Sequence, residues 1–399
     1  MSLLIRNCRI VSGNGLVQAD ILIENGKIKD INSSIDENAD KIIDANSNIA
    51  IPGIIDPHTH LREPGQEYKE DFLTGTRAAA AGGITTILDM PNNKPPILTI
   101  RELDNKRRLA EKSVVNYGFH FGSGENNLEE IKSVKSISSV KVFMDDTTGD
   151  MKIADDSVLQ EVFQNSKIVS VHAEGEKVRK AISMIKNTDN LLYLCHISTK
   201  EELEIIKREK DSQVFVEAAP HHLFLTKNDI DELKGFGMMK PGLRSEQDRE
   251  ALWEALSNGL IDAIGTDHAP HTIKEKQSEN PPFGVPGLET VLPLLLNAVN
   301  EKRLTLSKLV QLTSANPAKI FRIQHKGKLE KGYDADIVII DLNLEKQVRN
   351  KELYTKCGWS PFNGKILKGW PITTIVNGEI IYNDQKINDH KSYEVKYFE

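Results

Sequence analysis

Eight short apolar runs, each followed by a polar or helix-like stretch, constrain this chain more than any other feature. They are GIIDPH at 53–58, ITTILDM at 84–90, VVNYGFHF at 114–121, VKVFM at 140–144, IVSVHA at 168–173, LLYLCHI at 191–197, VFVEAA at 214–219 and IDAIGTDHA at 261–269. Such Val- and Ile-rich runs suit parallel strands covered on both faces by helices. KEDFLTGTRAAAAG and TKEELEIIKREK, which lie between them, suit the covering helices, and LETVLPLLLNAV at 288–299 reads as a buried helix after the last strand. About eight β/α units over roughly 270 residues fit a (β/α)8 TIM-type barrel in length and rhythm. An open doubly wound sheet is the competing α/β arrangement, but no glycine-rich phosphate fingerprint follows the first run.

The two ends of the chain read differently. LLIRNCRIV and ADILIENGKIKDI alternate apolar and polar residues, as do ADIVIIDL and TTIVNGEIIYN, and Asn25-Gly26 and Asn377-Gly378 suit hairpin turns. The expectation is a small β-sandwich built from residues 1–52 and 328–399, flanking a barrel over 53–327. Two unrelated β arms are the alternative.

Composition narrows the function classes. Hydrophobic residues make up 39% and charged residues 27%, as in an ordinary globular chain. With 51 basic and 58 acidic side chains the formal charge is −7, and no long basic block points to nucleic acid. Cys8, Cys195 and Cys357 are too few and scattered for a disulfide framework, which fits a reducing compartment. The start of the chain lacks the apolar core of a signal peptide, and no run is long enough to span a membrane. A cytoplasmic protein with no nucleic-acid or membrane partner is expected.

In such barrels chemistry sits at the C-terminal ends of the strands. Here those ends carry His58 and His60, then Asp89 and Asn92, then Lys141 running into Asp145 and Asp146, then His172, His196 and Asp267. Residues two apart on a strand share a face, so His58 and His60 form half of a metal site. Imidazole and carboxylate ligands suit zinc or a similar divalent ion. His58, His60, His172, His196 and Asp267 exceed one tetrahedral site, so two ions sharing a bridge are expected. His120 ends the third run but is not counted as a ligand. His221 and His222 are read as structural or supporting residues.

Lys141 is out of place between Val140 and Val142. A buried ammonium beside two dications is strongly disfavoured. It has two escapes: an ion pair with Asp145, or carboxylation of the neutral amine to a bridging carbamate. Cys195 and Glu217 lie close to this pattern, with core, supporting and extra-metal roles all open.

With these residues assembled, the chain resembles the amidohydrolase superfamily and, within it, the dihydroorotases. The resemblance covers nearly the whole chain. It rests on DPHTHLREPG at 56–65, DMPNN at 89–93, VHAE at 171–174, CHIS at 195–198, EAAPHHL at 217–223, GTDHAPH at 265–271 and PFGVPGLET at 282–290. Similar hydantoinases, dihydropyrimidinases and allantoinases share the metal residues but usually lack this arginine and this asparagine.

The resemblance implies two Zn2+ per chain. His58, His60 and Asp267 would hold one, His172 and His196 the other, and carboxylated Lys141 would bridge them. Some relatives use an aspartate bridge, which keeps Asp145 as the second candidate. Arg62, Asn92, His271 and the Phe283-Gly284 loop would hold the substrate. The implied reaction is reversible cyclisation of N-carbamoyl-L-aspartate to L-dihydroorotate plus water, in pyrimidine (UMP) biosynthesis. It would run through a metal-bridging hydroxide, with Asp267 as proton shuttle. Arg62 offers a planar fork that fits a carboxylate; a salt bridge to Glu63 or Glu67 is its bland alternative. The competing functions are a hydantoinase-type cyclic amide hydrolase and an inactive structural partner of an aspartate carbamoyltransferase. Where many relatives have Asn-Pro-Pro-Leu-Arg, this chain reads KPGLR at 240–244, so Lys240 receives no role. A homodimer is a further expectation from the resemblance.

Overall fold

The protein is described from a computed structural model, over residues 2–13, 15–145 and 151–398. The N-terminal strands are β1 (Ser2–Ser12), β2 (Gly15–Glu24), β3 (Lys27–Asn32), β4 (Lys41–Asp44) and β5 (Ile49–Pro52). The barrel strands are β6 (Ile54–Thr59), β7 (Ile84–Asp89), β8 (Asn116–Gly122), β9 (Ser139–Phe143), β10 (Ile168–His172), β11 (Leu191–Leu194), β12 (Val214–Ala218) and β13 (Ala263–Ile264). The C-terminal strands are β14 (Ile337–Gln347), β15 (Ile366–Val376), β16 (Glu379–Asn383) and β17 (Lys386–Ile387).

Both ends of the chain meet in one nine-stranded sheet, ordered β17-β16-β15-β14-β5-β1-β2-β3 with β4 beside β1. The join is antiparallel pairing of β14 with β5, Ile339 opposite Ala50. Alternation places Leu3, Ile5, Ile21, Ile23, Ile337, Ile339 and Ile375 in a shared core. The turn at Asn25-Gly26 takes positive φ at both residues, as the primed hairpin turns require. Residues beyond β17 leave this sheet and return to the barrel: Tyr117 N–H donates to Tyr393 O, and Val395 N–H to Tyr117 O.

The eight barrel strands follow in sequence order, parallel throughout. β13 is only two residues long, so side chains and loops complete the seam to β6. His60 N–H donates to His268 O at 2.8 Å, Thr59 bridges His268, and the Asp56 carboxylate accepts from Thr266 N at 2.9 Å and Thr266 Oγ1 at 2.5 Å. The strands are buried along their length, which is why they read as nearly continuous apolar runs.

The covering helices start where their sequences signal. Asp71 caps Phe72–Ala81 in a capping box with Thr74, and Thr199 caps Lys200–Glu209 with Glu202. The apolar stretch after the last strand is the helix Val291–Asn300, almost wholly buried. Helices and strands share one large core. No helix of the described residues is long and apolar enough to cross a membrane.

Candidate metal and active site

The C-terminal ends of the barrel strands enclose a cavity lined by His58, His60, Arg62, Asn92, Lys141, Phe143, His172, His196, Lys240, Asp267, Ala269, Phe283 and Gly284. All five histidine and aspartate positions expected from the strand ends therefore face one space, as does Lys141. His58 sits near the end of β6 and His60 just beyond it. His172 closes β10, His196 follows β11, and Asp267 follows β13.

Two clusters of ligand atoms converge. Asp267 Oδ1 lies 3.1 Å from His60 Nε2 and 3.4 Å from His58 Nε2. His172 Nδ1 lies 3.0 Å from His196 Nε2, and the His58 and His196 rings are 5.2 Å apart between centroids. The outward nitrogens are held from behind: His58 Nδ1 meets Glu217 Oε1 at 2.8 Å, and His60 Nδ1 meets Asn92 Oδ1 at 2.6 Å. With Nδ1–H donated outward, each Nε2 turns a lone pair inward.

Electrostatics agree with a cation between them. Burial drives His60 down to about 4, lowers His172, and puts His196 well below the usual imidazole range, so these rings are neutral at neutral pH. Burial also lowers His58, but the Glu217 and Asp267 charges together outweigh it and push the group up to about 10. Neighbouring His58 and His60 overcome burial to hold the Asp267 carboxyl well below the usual range. His58, His60 and Asp267 bring one ligand atom each within 4.8 Å of one another, a spacing that could hold a metal ion. The donor set fits a divalent ion of the zinc class.

Lys141 is fully buried in β9, its Nζ 3.0 Å from Cys195 Sγ and 5.2 Å from the centre of the Phe143 ring. Among the described residues it forms no ion pair. Of the two escapes, the ion pair with Asp145 is not formed, because β9 ends at Phe143 and the alternation cannot be extrapolated to residue 145. The Asp145 carboxylate instead ion-pairs with Lys177 and accepts from Glu174 N–H at 2.8 Å, and it does not line the cavity. Asp146 lies outside the described residues.

The carboxylate-binding candidates occupy one side. Arg62 is buried, donates through Nε to Pro270 O at 3.2 Å, and has no carboxylate partner among the described residues. Glu63 is occupied by Lys112 and Phe72 N–H, and Glu67 by Gly65 N–H, so the bland pairing does not form. Burial lowers the Arg62 guanidinium to about 10, still a cation at neutral pH. Asn92 lines the cavity beside His60. His271 stands behind Arg62, outside the cavity lining. Phe283 and Gly284 line the rim, but their loop uses its own backbone groups: Phe283 O contacts His271, Gly284 N–H donates to Met238 O, and Gly284 O accepts from Lys276.

Sequence reasoning left Glu217 and Lys240 without roles and passed over Lys69. Glu217 is fully buried and accepts from His196 N–H at 2.8 Å and Tyr193 OH at 2.9 Å as well as facing His58. Its signal was an acidic residue at the end of an apolar strand. Gly265 lets the Asp267 loop pass, since a Cβ there would lie 2.4 Å from Glu217 Oε2. Lys240 lines the cavity with Nζ 5.8 Å from the centre of the Phe283 ring. His120 has both ring nitrogens engaged, by Ser139 Oγ and Pro57 O, and is a core residue. His221 and His222 pack on each other outside the cavity lining.

Three site residues, Arg62, His196 and Asp267, hold positive φ of +66°, +36° and +47°. Left-handed backbone at non-glycine residues costs on the order of 1–3 kcal/mol each and marks places where function fixes the chain.

Comparison with known proteins places this geometry. The model of the amidohydrolase family matches residues 49–381. A dihydroorotase of Methanosphaera stadtmanae is 39% identical over 99% of each chain, and one of Methanosarcina acetivorans is 36% identical over 96% of this chain and 92% of its own. The solved L-hydantoinase (dihydropyrimidinase) of Arthrobacter aurescens superposes with a TM-score of 0.94 at 29% identity, covering 98% of this chain and 99% of that one. A barrel with clustered histidines and an aspartate at its strand ends, matched along nearly its whole length, belongs to the amidohydrolase family, in the branch occupied by the relatives named dihydroorotase.

Proposed function

We propose that this protein is a dihydroorotase, closing N-carbamoyl-L-aspartate to L-dihydroorotate with loss of water and reopening it in reverse. Arg62 carries the substrate assignment: a buried guanidinium with no carboxylate partner among the described residues, aimed into a cavity beside the His/Asp cluster. A cyclic amide without a ring carboxylate would leave that charge uncompensated. Relatives named dihydroorotase at 34–39% identity support the same choice over a hydantoinase.

In this proposal His58, His60 and Asp267 would hold one Zn2+ and His172 and His196 a second, with Lys141, as a carbamate, the residue that would link the two sites. Lys141 is favoured over Asp145 because it is buried in the cavity without an ion pair among the described residues, whereas Asp145 is committed to Lys177. Bound zinc supplies polarisation of the carbonyl and a water acidified from about 15.7 to about 7. Glu217 and Asn92 orient the His58 and His60 rings. Asp267, ionised at neutral pH, takes a proton from the attacking water and passes it to the leaving ring nitrogen. Arg62 and Asn92 position the substrate carboxylate, with His271 behind the arginine. Ring closure turns a dianion into a monoanion, so it consumes a proton and is favoured at lower pH. The proposal includes a homodimer working in the cytoplasm on small molecules. An inactive partner of a carbamoyltransferase would have lost ligand positions, and all the expected ones are present here.

The test measures metal content and turnover of dihydroorotate and of hydantoin, on wild type and on Lys141→Ala with and without a small carboxylic acid. About two ions per chain, dihydroorotate turnover, and partial rescue of the variant by the acid are expected. Turnover of hydantoin alone would overturn the substrate; a variant keeping both ions and its rate would overturn the Lys141 bridge.

A further inference from the structure

His271 is hemmed in by basic groups. Its Nδ1 lies 3.0 Å from Lys69 Nζ, and its Nε2 lies 2.9 Å from Phe283 O and 3.2 Å from Arg62 Nη2. An ammonium donates and cannot accept, and Lys69 Nζ pairs with Glu275 Oε1 at 3.0 Å. His271 Nδ1 must therefore carry the lone pair, and the ring proton sits on Nε2, donated to Phe283 O. That carbonyl is itself fixed, because buried Lys276 ties the flanking Pro282 O and Gly284 O to Met238 O, all within 2.9 Å of its Nζ. A nitrogen that holds a proton cannot accept from Arg62. The Arg62 Nη groups consequently have no acceptor on His271, and among the described residues Nε is the group that donates, to Pro270 O.

We infer that Lys69, which does not line the cavity, is a specificity-determining positioning residue that keeps Arg62 open for the substrate carboxylate by fixing the tautomer of His271. In the other tautomer Nδ1–H would face the ammonium, and the Nε2 lone pair would capture an Arg62 N–H in competition with substrate. Lys69 excludes that state. The inference rests on Arg62 being the carboxylate-binding group.

The experiment compares wild type with Lys69→Met, Lys69→Arg, Glu275→Gln and Arg62→Gln, each loaded with metal. It reads kcat and KM for dihydroorotate and the His271 ring tautomer by 15N NMR of histidine-labelled protein. Lys69→Met is expected to raise KM about tenfold, the size of one hydrogen bond to a charged group, with the loss falling on KM rather than kcat. The His271 proton should shift toward Nδ1. Lys69→Arg, which keeps a cationic donor, should restore most of the affinity. Glu275→Gln, a milder change at a partly exposed side chain, should show the same direction at smaller size and serves if Lys69→Met does not fold. A raised KM for Arg62→Gln, with Lys69→Met and Glu275→Gln both at wild-type KM and tautomer, would overturn the role of Lys69. An unchanged KM for Arg62→Gln would instead overturn the carboxylate assignment beneath it.

Discussion

Replacing Glu217 by glutamine removes one charge from the wall of the cavity and almost nothing else. The carboxylate accepts from His58 Nδ1 at 2.8 Å, His196 N–H at 2.8 Å and Tyr193 OH at 2.9 Å, with no exposed surface. A glutamine can turn its oxygen to His58 and His196 and its amide toward Tyr193, whose hydroxyl can rotate to accept. What is lost is the charge assistance of two bonds. Hydrogen bonds to charged groups contribute about 1.5–3 kcal/mol against about 0.5–1.5 for neutral ones, so two lose about 2 kcal/mol. Only the His58 share, about 1 kcal/mol, would reach an ion through that ring, a site about fivefold weaker. Outer-shell partners of metal-bound histidines typically contribute about 10–100-fold, so this is a lower bound. Competition with a chromogenic chelator measures it, with thermal unfolding to verify the fold. If Glu217→Gln holds its metal within about threefold of wild type, Glu217 does not act on the ion through His58, and the inward lone pair on His58 Nε2 loses its support.

Removing metal with a chelator should lower the unfolding free energy, by about 2.7 kcal/mol for a site saturated at about a hundred times its Kd, and calorimetry with and without added zinc reads the shift. Lys106 and Asp89 form a fully buried pair at 2.6 Å, with Lys106 also donating to Met90 O and Asn93 Oδ1. Lys106→Met should therefore destabilise by about 3–5 kcal/mol in denaturant titration, and the double variant with Asp89→Asn should lose less than the sum. Burial pushes the Glu289 carboxyl up to about 8, against 4.5 for the free side chain. The folded protein thus keeps a proton that the unfolded chain releases. The associated stability is present below about 4.5 and is lost as pH rises to about 8, by at most about 5 kcal/mol. Glu289→Gln should flatten that slope between about pH 5 and 8; an unchanged slope would assign it to other groups.

The barrel was legible because its strands are buried on both faces and read as unbroken apolar runs. The residues that meet in the cavity were legible for a related reason: a titratable side chain at the end of a buried strand is costly to desolvate unless an ion or a partner group meets it there. Contacts between side chains distant in sequence were not. The alternative that paired Asp145 with Lys141 carried strand parity past the end of β9, where Lys177 from the following helix takes the carboxylate. Lys69 was invisible because it sits in a polar stretch before a helix, and only the fold brings it to His271. Lys240 reaches the cavity from a loop that no periodicity marks.

The pairing of β5 with β14 has a consequence for how the chain is made. β5 leaves the ribosome before the barrel strands, and its partner follows only after the whole barrel. Throughout synthesis the inner edge of the N-terminal strands stays open, with its backbone donors and acceptors unpaired. An open edge of this kind recruits other strands, including those of neighbouring nascent chains. Truncation before β14 would make that transient exposure permanent. Chains ending short of Ile337 are therefore expected to aggregate even when every residue of the cavity has been synthesised.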